Sequence, residues 1–407
     1  MSLKVAVIGG GAAGFFAALN CKENFPTYTV DILEKSNKVL AKVKVSGGGR
    51  CNVTHHCLNV KDLCSFYPRG GKKLKTIFSQ FQPLDTIEWF KSKGVELKVE
   101  SDNRMFPTTD QSFTIINCLL DEAARKEVSI KMSTSINKIT RTENGYTLWN
   151  GEEQLQYDKV IVAAGGGPKL DSYKWLSELN LNIVPPVPSL FTFNLPGANT
   201  ADLMGVVAPQ VGIKIQGTKI HQNGPLLFTH WGFSGPAVLK SSAWGARDLS
   251  NLNYNFSVSI NWTGLITEDA VRELVLEVKN NNPKKKIQNT KVSEGITNRL
   301  WDYLLKKCEL DKDLIWSECP KKQLNKLVNT LYNDVYKVQG KTTFKEEFVT
   351  CGGIDLSDLN LKTLESTKHD GLFFAGEILD IDGVTGGFNF QAAWSTGYIA
   401  AKLGVKD

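Results

Sequence analysis

The sequence predicts an α/β protein in which a parallel-sheet nucleotide-binding domain, built from both ends of the chain, is interrupted by a β-rich domain carrying a helical insertion. Three observations predict it. A β-branched run at the start of the chain leads into closely spaced glycines and a helix-forming stretch. A second apolar strand, Gly-rich turn and helix of small residues stand at the far end, between Gly371 and Gly404. In the middle, β-type segments alternate with apolar residues at helical spacing.

Composition frames this reading. The 407 residues, 42% hydrophobic and 22% charged, suit a globular protein of two or three domains. Met1-Ser2-Leu3-Lys4 runs straight into a strand, and no apolar run approaches the ~20 residues of a membrane span, so a cytoplasmic protein without a secretion leader is expected. The eight cysteines show no repeated spacing and read as reduced thiols. A net charge of +6 permits a nucleic-acid partner without demanding one.

The first element is Val5 to Ile8, followed by Gly9-x-Gly11-x-x-Gly14 and a helical run from Ala12 to Asn20. This is the Rossmann-type pattern. Gly9 allows a tight turn, Gly11 lets a pyrophosphate approach, and Gly14 lets the helix lie on the strand, while Ala12 and Ala13 open the helix N-terminus toward phosphate. The second strand, in "YTVDILEKS", ends at Glu34 and Lys35, with Glu34 20 residues beyond Gly14, where a carboxylate binds ribose hydroxyls and repels a 2′-phosphate.

Next comes "KVKVSGGGRCNVTH", from Lys42 to His55. Metal, nucleotide phosphate and a nucleophilic cysteine are its candidate chemistries. The spacing C-x3-H-H-C-x6-C from Cys51 to Cys64 matches no common zinc module, so no metal is expected. Cys51 and Cys57 do not have the spacing of a redox-active disulfide. Cys51 remains either a lone proton donor or a small buried filler. Further on, Val160 to Ala164 with Gly165, Gly166 and Gly167 reads as a buried parallel strand and turn.

The C-terminal stretch, with its strand Leu372 to Ala375, Gly376-Glu377, Gly386-Gly387 and helix Gln391 to Ala401, resembles the second fingerprint of the FAD superfamily that includes glutathione reductase and the fumarate reductase flavoproteins. The resemblance implies FAD, with Glu377 on the ribityl chain and Gly386, Gly387, Phe388 and Asn389 at the isoalloxazine, where a helix N-terminus stabilises the reduced flavin's charge. Ala164, Gly165 and Gly166 resemble that superfamily's "ATGG" segment beside the cofactor. With "PLLFTHWGFSGPAVLKSS" (Pro225 to Ser242) and "TCGGIDL" (Thr350 to Leu356), the "SGGGRCN" segment resembles a bacterial family of NAD(P)/FAD-dependent, aminoacetone-oxidase-like oxidoreductases across nearly the whole chain. By that resemblance Gly48, Gly49, Arg50, Cys51 and Asn52 run along the FAD, with Arg50 neutralising phosphate or reduced flavin. Family members commonly carry Gly-Arg-Lys where this chain has Leu40, Ala41 and Lys42, so the resemblance leaves a basic contact to the cofactor either missing or supplied by Lys42 or Lys44.

The expected domains are 1–188 with 343–407 for FAD, 189–263 with 334–342 as a β-rich substrate domain, and 264–333 as a helical insertion. Strands are expected at Val211 to Ile215, Tyr254 to Ile260 and Asp334 to Val338, and helices over 271–278 and 324–331. No second GxGxxG follows, so NAD(P)H docks transiently at the flavin or another reductant serves. His230, in "FTHWGFSGP", is read as a general acid or as a structural histidine. The stretch 265–333 holds thirteen Lys or Arg against ten Asp or Glu, a weakly basic surface.

These readings converge on a cytoplasmic FAD-dependent oxidoreductase. The family resemblance implies a small amine, an unsaturated steroid-type acid or uridine in ribosomal RNA as substrate, the last held by the basic insertion with Cys51 or His230 as proton donor. A flavin-binding protein without turnover is the alternative.

Overall fold

The computed structural model describes residues 2–197, 200–342 and 349–405; the return to the first domain expected near Thr343 lies outside them. The chain divides into two compact units, Met1–Ser189 with Phe344–Asp407, and Leu190–Thr343.

The first unit carries five parallel strands: β1 (Lys4–Ile8), β2 (Thr29–Leu33), β3 (Ser129–Lys131), β4 (Lys159–Val162) and β5 (Leu372–Phe374), in the order β5-β4-β1-β2-β3. Two short antiparallel strands, Glu365–Ser366 and Leu359–Asn360, extend the β5 edge. In β1, Val5, Ala6 and Val7 are buried, as are Val160, Ile161 and Val162 in β4, which is why both strands are continuous apolar runs. α1 (Ala12–Asn24) is apolar on every side, with Phe15, Phe16, Ala17, Ala18 and Leu19 all buried, because it has the sheet on one side and α3 (Phe388–Ala400) on the other. α3 starts three residues earlier than expected, directly after the left-handed Gly387. This is the α/β architecture the sequence predicts.

The second unit is a seven-stranded antiparallel sheet in the order 334–339, 255–261, 207–215, 221–229, 232–234, 192–194, 341–342. Helices Glu268–Asn281, Asn298–Lys307 and Lys321–Tyr332 share one core with it, in which Ile213, Val258 and Ile260 of the strands join Val271, Trp301 and Leu327 of the helices. Among the elements that escaped the periodicity reading, two have a clear reason. His221–Thr229 contains Gly224-Pro225, which interrupts the β pattern, and Asn298–Lys307 is short, although Thr297 caps it by accepting from the Leu300 N–H at 3.3 Å.

Trp301 anchors that core: it is buried and its indole N–H donates to the Ile287 carbonyl at 3.0 Å. Trp301→Ala is expected to lower unfolding free energy by about 3–5 kcal/mol in a urea titration. A loss below about 1 kcal/mol would show that the helices are not part of the cooperative core.

Candidate functional site

The loops at the C-terminal ends of β1, β4 and β5 form the candidate site, all within the first unit. The three glycines of the first turn differ in what surrounds them. A Cβ at Gly14 would overlap the Gly9 carbonyl oxygen, and one at Gly9 (φ +114°) would overlap that of Ala163, so both are packing glycines. A Cβ at Gly11 would meet nothing within 4 Å. Gly11 thus leaves its side open in front of α1, whose first internal bond, Phe15 N to Gly11 O, leaves the N–H groups of Ala12, Ala13 and Gly14 ahead of the ladder. Glu34 closes the turn, accepting from the Gly10 N–H and the Ser36 N–H, each at 2.8 Å. Lys35 beside it is exposed.

The "SGGG" segment follows α2 (Ala41–Gly49), whose helical backbone stops at Ser46 (ψ 147°). Gly47, Gly48 and Gly49 are all left-handed, with φ of 59°, 69° and 85°, and a Cβ at either of the last two would meet only open space. Left-handed backbone therefore requires these glycines, and crowding explains only Gly47, whose Cβ would lie 2.9 Å from Phe106. Consecutive N–H groups in such turns form a concave anion seat. Arg50 departs from its expected role. It binds Glu100 at 2.6 Å and Asp110 at 3.4 Å, with its guanidinium 4.0 Å from the Phe106 ring centre, so its charge is already matched by two carboxylates. Cys51, itself left-handed (φ 60°), is fully buried, and burial pushes its thiol up to about 12 against a partial offset from the Ser46 hydroxyl. That thiol holds its proton firmly, which favours the filler over the proton donor. Asn52, with its amide oriented to satisfy both ends, donates to the Thr54 carbonyl at 3.0 Å and accepts from the Gly387 N–H at 2.9 Å.

The C-terminal fingerprint meets this loop. Glu377 accepts from Lys42 at 2.6 Å and from the Thr350 N–H at 2.9 Å. Lys42 therefore supplies a basic group here, whereas Lys44 lies 5.3 Å from the Phe113 ring centre. Gly166 lies against Thr350 and Glu377, where any Cβ would overlap the Thr350 hydroxyl; that hydroxyl is buried with no hydrogen-bond partner among the described residues. Ala164 is half-buried, and the next residue, left-handed Gly165 (φ 77°), has open space where a Cβ would stand. Gly376 packs on Ala13, 2.7 Å from a would-be Cβ.

Gly386 and Gly387 lead into α3, whose first internal bond, Gln391 N to Gly387 O, leaves the N–H groups of Phe388, Asn389 and Phe390 ahead of it. Phe388 packs on both His55 (4.5 Å) and Phe66 (4.4 Å), which also touch each other at 5.7 Å, so the three rings form a triangle. Asn389 spends both ends of its amide on Gly383, at 2.8 and 3.0 Å, so it braces the loop. Buried Asp382, paired with Arg69 and accepting from Ser189 at 2.7 Å, anchors the same loop.

Open-sided glycines at 11, 48, 49 and 165, acids at 34 and 377, two helix N-termini and an unsatisfied buried hydroxyl fit a dinucleotide with a polar ribityl chain, as FAD has. The sequence reading missed two residues here. Thr350 had been noticed only as part of a motif, and half-exposed His55, beside Gly386, only as a metal ligand. His230 belongs to the other unit, exposed and edge-on to Trp231 at 4.0 Å. Among the described residues no cluster of three or more His, Cys, Asp or Glu could hold a metal, and no helix is long and apolar enough to cross a membrane.

The family described as HI0933-like protein Rossmann domain matches residues 3–403. The chain is 29% identical over 406 residues to the ribosomal RNA dihydrouridine synthase of Escherichia coli K12, covering 97% of this chain and 96% of that one. It is 25% identical to the 3-dehydro-bile acid delta(4,6)-reductase of Clostridium scindens, covering 99% of each. Its fold is similar to that of 3-ketosteroid delta1-dehydrogenase from Sterolibacterium denitrificans, solved with 1,4-androstadiene-3,17-dione, with a TM-score of 0.50 at 11% identity over 98% of this chain and 99% of that one.

Burial raises the Cys51 thiol from its ordinary 9.0 to about 12. The folded protein therefore keeps a proton that the unfolded chain loses above pH 9, so this contribution to stability is intact below pH 9 and is lost as pH rises toward 12. Cys51→Ala is expected to make the fall in unfolding free energy over that window shallower by about 1.4 kcal/mol per pH unit, read from urea titrations at several pH values. An unchanged slope would mean that the thiol ionises normally in the fold.

Proposed function

The chain belongs to the HI0933-like Rossmann family and is an FAD-dependent oxidoreductase; from that premise we propose that it reduces uridine in ribosomal RNA to dihydrouridine. The observation that carries this reading is the end-to-end match to the E. coli synthase, 97% of one chain on 96% of the other, which extends the likeness through both units instead of the nucleotide-binding part alone. A second reading, a small unsaturated acid, is favoured by the equally complete match to the bile-acid reductase. The two names describe one bond type, a carbon–carbon double bond conjugated with a carbonyl.

FAD, when bound and reduced, supplies a hydride for the carbon β to that carbonyl. The chain's own residues do the rest. Gly11 and the N–H groups of Ala12, Ala13 and Gly14 receive the pyrophosphate, and Glu34 keeps a free lone pair on each oxygen for ribose hydroxyls. Glu377, held by Lys42, and the Thr350 hydroxyl face the ribityl chain. The N-terminus of α3 favours negative charge at the flavin edge. Proton delivery to the α carbon falls to His55, whose ring lies beside Gly386 and against Phe388, because Cys51 is buried and holds its proton. NAD(P)H is the proposed reductant, docking transiently, and the cytoplasm is the proposed location. Cofactor handling by 1–188 and 343–407, and substrate selection by the β-rich part (189–263 and 334–342) with its helical insertion (264–333), are part of the same proposal.

Two outcomes test it. Deleting the gene is expected to remove dihydrouridine from host ribosomal RNA by nucleoside mass analysis, with restoration by the intact gene and none by Glu377→Leu; an unchanged dihydrouridine content would refute the RNA reading. Gly11→Ala is expected to leave the urea midpoint of the apoprotein in place, since its Cβ meets open space, while the Kd of the apoprotein for FAD rises at least about tenfold, the loss of about 1.4 kcal/mol of binding. An unchanged Kd in that variant would place the pyrophosphate elsewhere.

A further inference from the structure

The net charge of +6 is not spread over the chain. Residues 35–75 hold ten Lys or Arg against a single acid, Asp62, a net of +9, so the other 366 residues together come to −3. The insertion expected to hold RNA is diluted by acids: over 265–333 thirteen Lys or Arg face ten Asp or Glu, and Arg272 pairs with Glu268 at 3.0 Å, Lys286 with Asp313 at 2.7 Å and Lys326 with Glu309 at 2.8 Å. Lysines without an ion pair are exposed in both stretches among the described residues, but in 35–75 those at Lys35, Lys38, Lys44, Lys61, Lys72 and Lys75 share their segment with one acid alone.

Both ends of this basic segment converge on one loop. Lys42 binds Glu377, Arg69 binds Asp382, and Lys73 lies 3.8 Å from Asp355 beside Asp380 in a shallow groove. Glu377 and Asp382 are five residues apart, so at most ~17 Å of chain separates the two anchor points, the reach of a few nucleotides. The same segment carries the half-exposed rings of His55 and Phe66, both packed on buried Phe388, and exposed His56. Unpaired lysines interleaved with rings are the chemistry of single-stranded nucleic-acid binding. A lipid surface would want apolar anchors, and Leu58 is the one exposed large apolar side chain of the segment among the described residues.

We propose that residues 35–75, through Lys38, Lys61, Lys72 and Lys75, form the surface on which the RNA phosphate backbone docks. The cofactor-binding unit then carries the main electrostatic hold on the substrate, and the insertion does not. This rests on the RNA reading above.

The test is RNA binding by the FAD-loaded full chain, using unmodified ribosomal RNA transcribed in vitro and a salt series. The triple variant Lys38→Glu, Lys72→Glu, Lys75→Glu is expected to bind at least about tenfold more weakly, with a slope of log affinity against log salt shallower by about 2. Lys284→Glu with Lys285→Glu in the insertion should change affinity less than about twofold. The Lys→Gln triple keeps the test valid if the reversed charges disturb folding. Wild-type-like binding by the triple variants, with loss in the insertion variant, overturns the surface and leaves the RNA reading standing. No RNA binding by the unaltered protein sinks both.

Discussion

Everything at the site depends on how closely α1 can be approached at Ala13. Gly376, at the end of β5, packs on the Ala13 methyl, and Gly397 of α3 lies where a Cβ would be 2.7 Å from the Ala13 carbonyl oxygen. The two fingerprints, more than 350 residues apart in sequence, are joined at that point. Glycine on the partner side is what permits helix and strand backbones to come this near, and the consequence is that two helix N-termini open onto the loops at one edge of one sheet. A bulkier residue at either glycine would part the halves of the cofactor seat before it touched any cofactor.

The loop between the halves tolerates some strain. Leu40 is left-handed (φ 55°, ψ 27°), a conformation that costs roughly 1–2 kcal/mol for a residue with a side chain. Its side chain is almost wholly buried, which offsets that cost. Its N–H donates to the Gly10 carbonyl at 2.8 Å, which ties the start of α2 to the first glycine turn. The same helix then presents Lys42 to Glu377, so the residue that sets the start of α2 also aims the basic group.

Much of this was legible in the sequence because it is local. The strand, turn and helix at Val5 to Asn20, the acid at Glu34, and the glycine pair before α3 follow from short-range pattern and backbone chemistry, and the structure places them accordingly. What was illegible depends on pairings across hundreds of residues. Nothing local marks Lys42 and Glu377 as partners, or Glu100 and Asp110 as the groups that take up Arg50's charge. All three "SGGG" glycines take left-handed backbone, a property that residue identity suggests and only dihedral angles distinguish. The charge concentrated in 35–75 is countable in the sequence, but which of its basic groups are taken up by Glu377, Asp382 and Asp355 is not.

The account's central claim is that one flavin seat, built from both ends of the chain, delivers its hydride to a base in RNA. The direct measurement is a single turnover: the holoprotein reduced anaerobically with dithionite, freed of excess reductant and mixed with unmodified ribosomal RNA, while flavin absorbance and RNA nucleosides are followed together. The account predicts that the flavin reoxidises on mixing and that one dihydrouridine forms for each flavin oxidised. A flavin that stays reduced with RNA, yet reoxidises with a small unsaturated carbonyl compound, would contradict it.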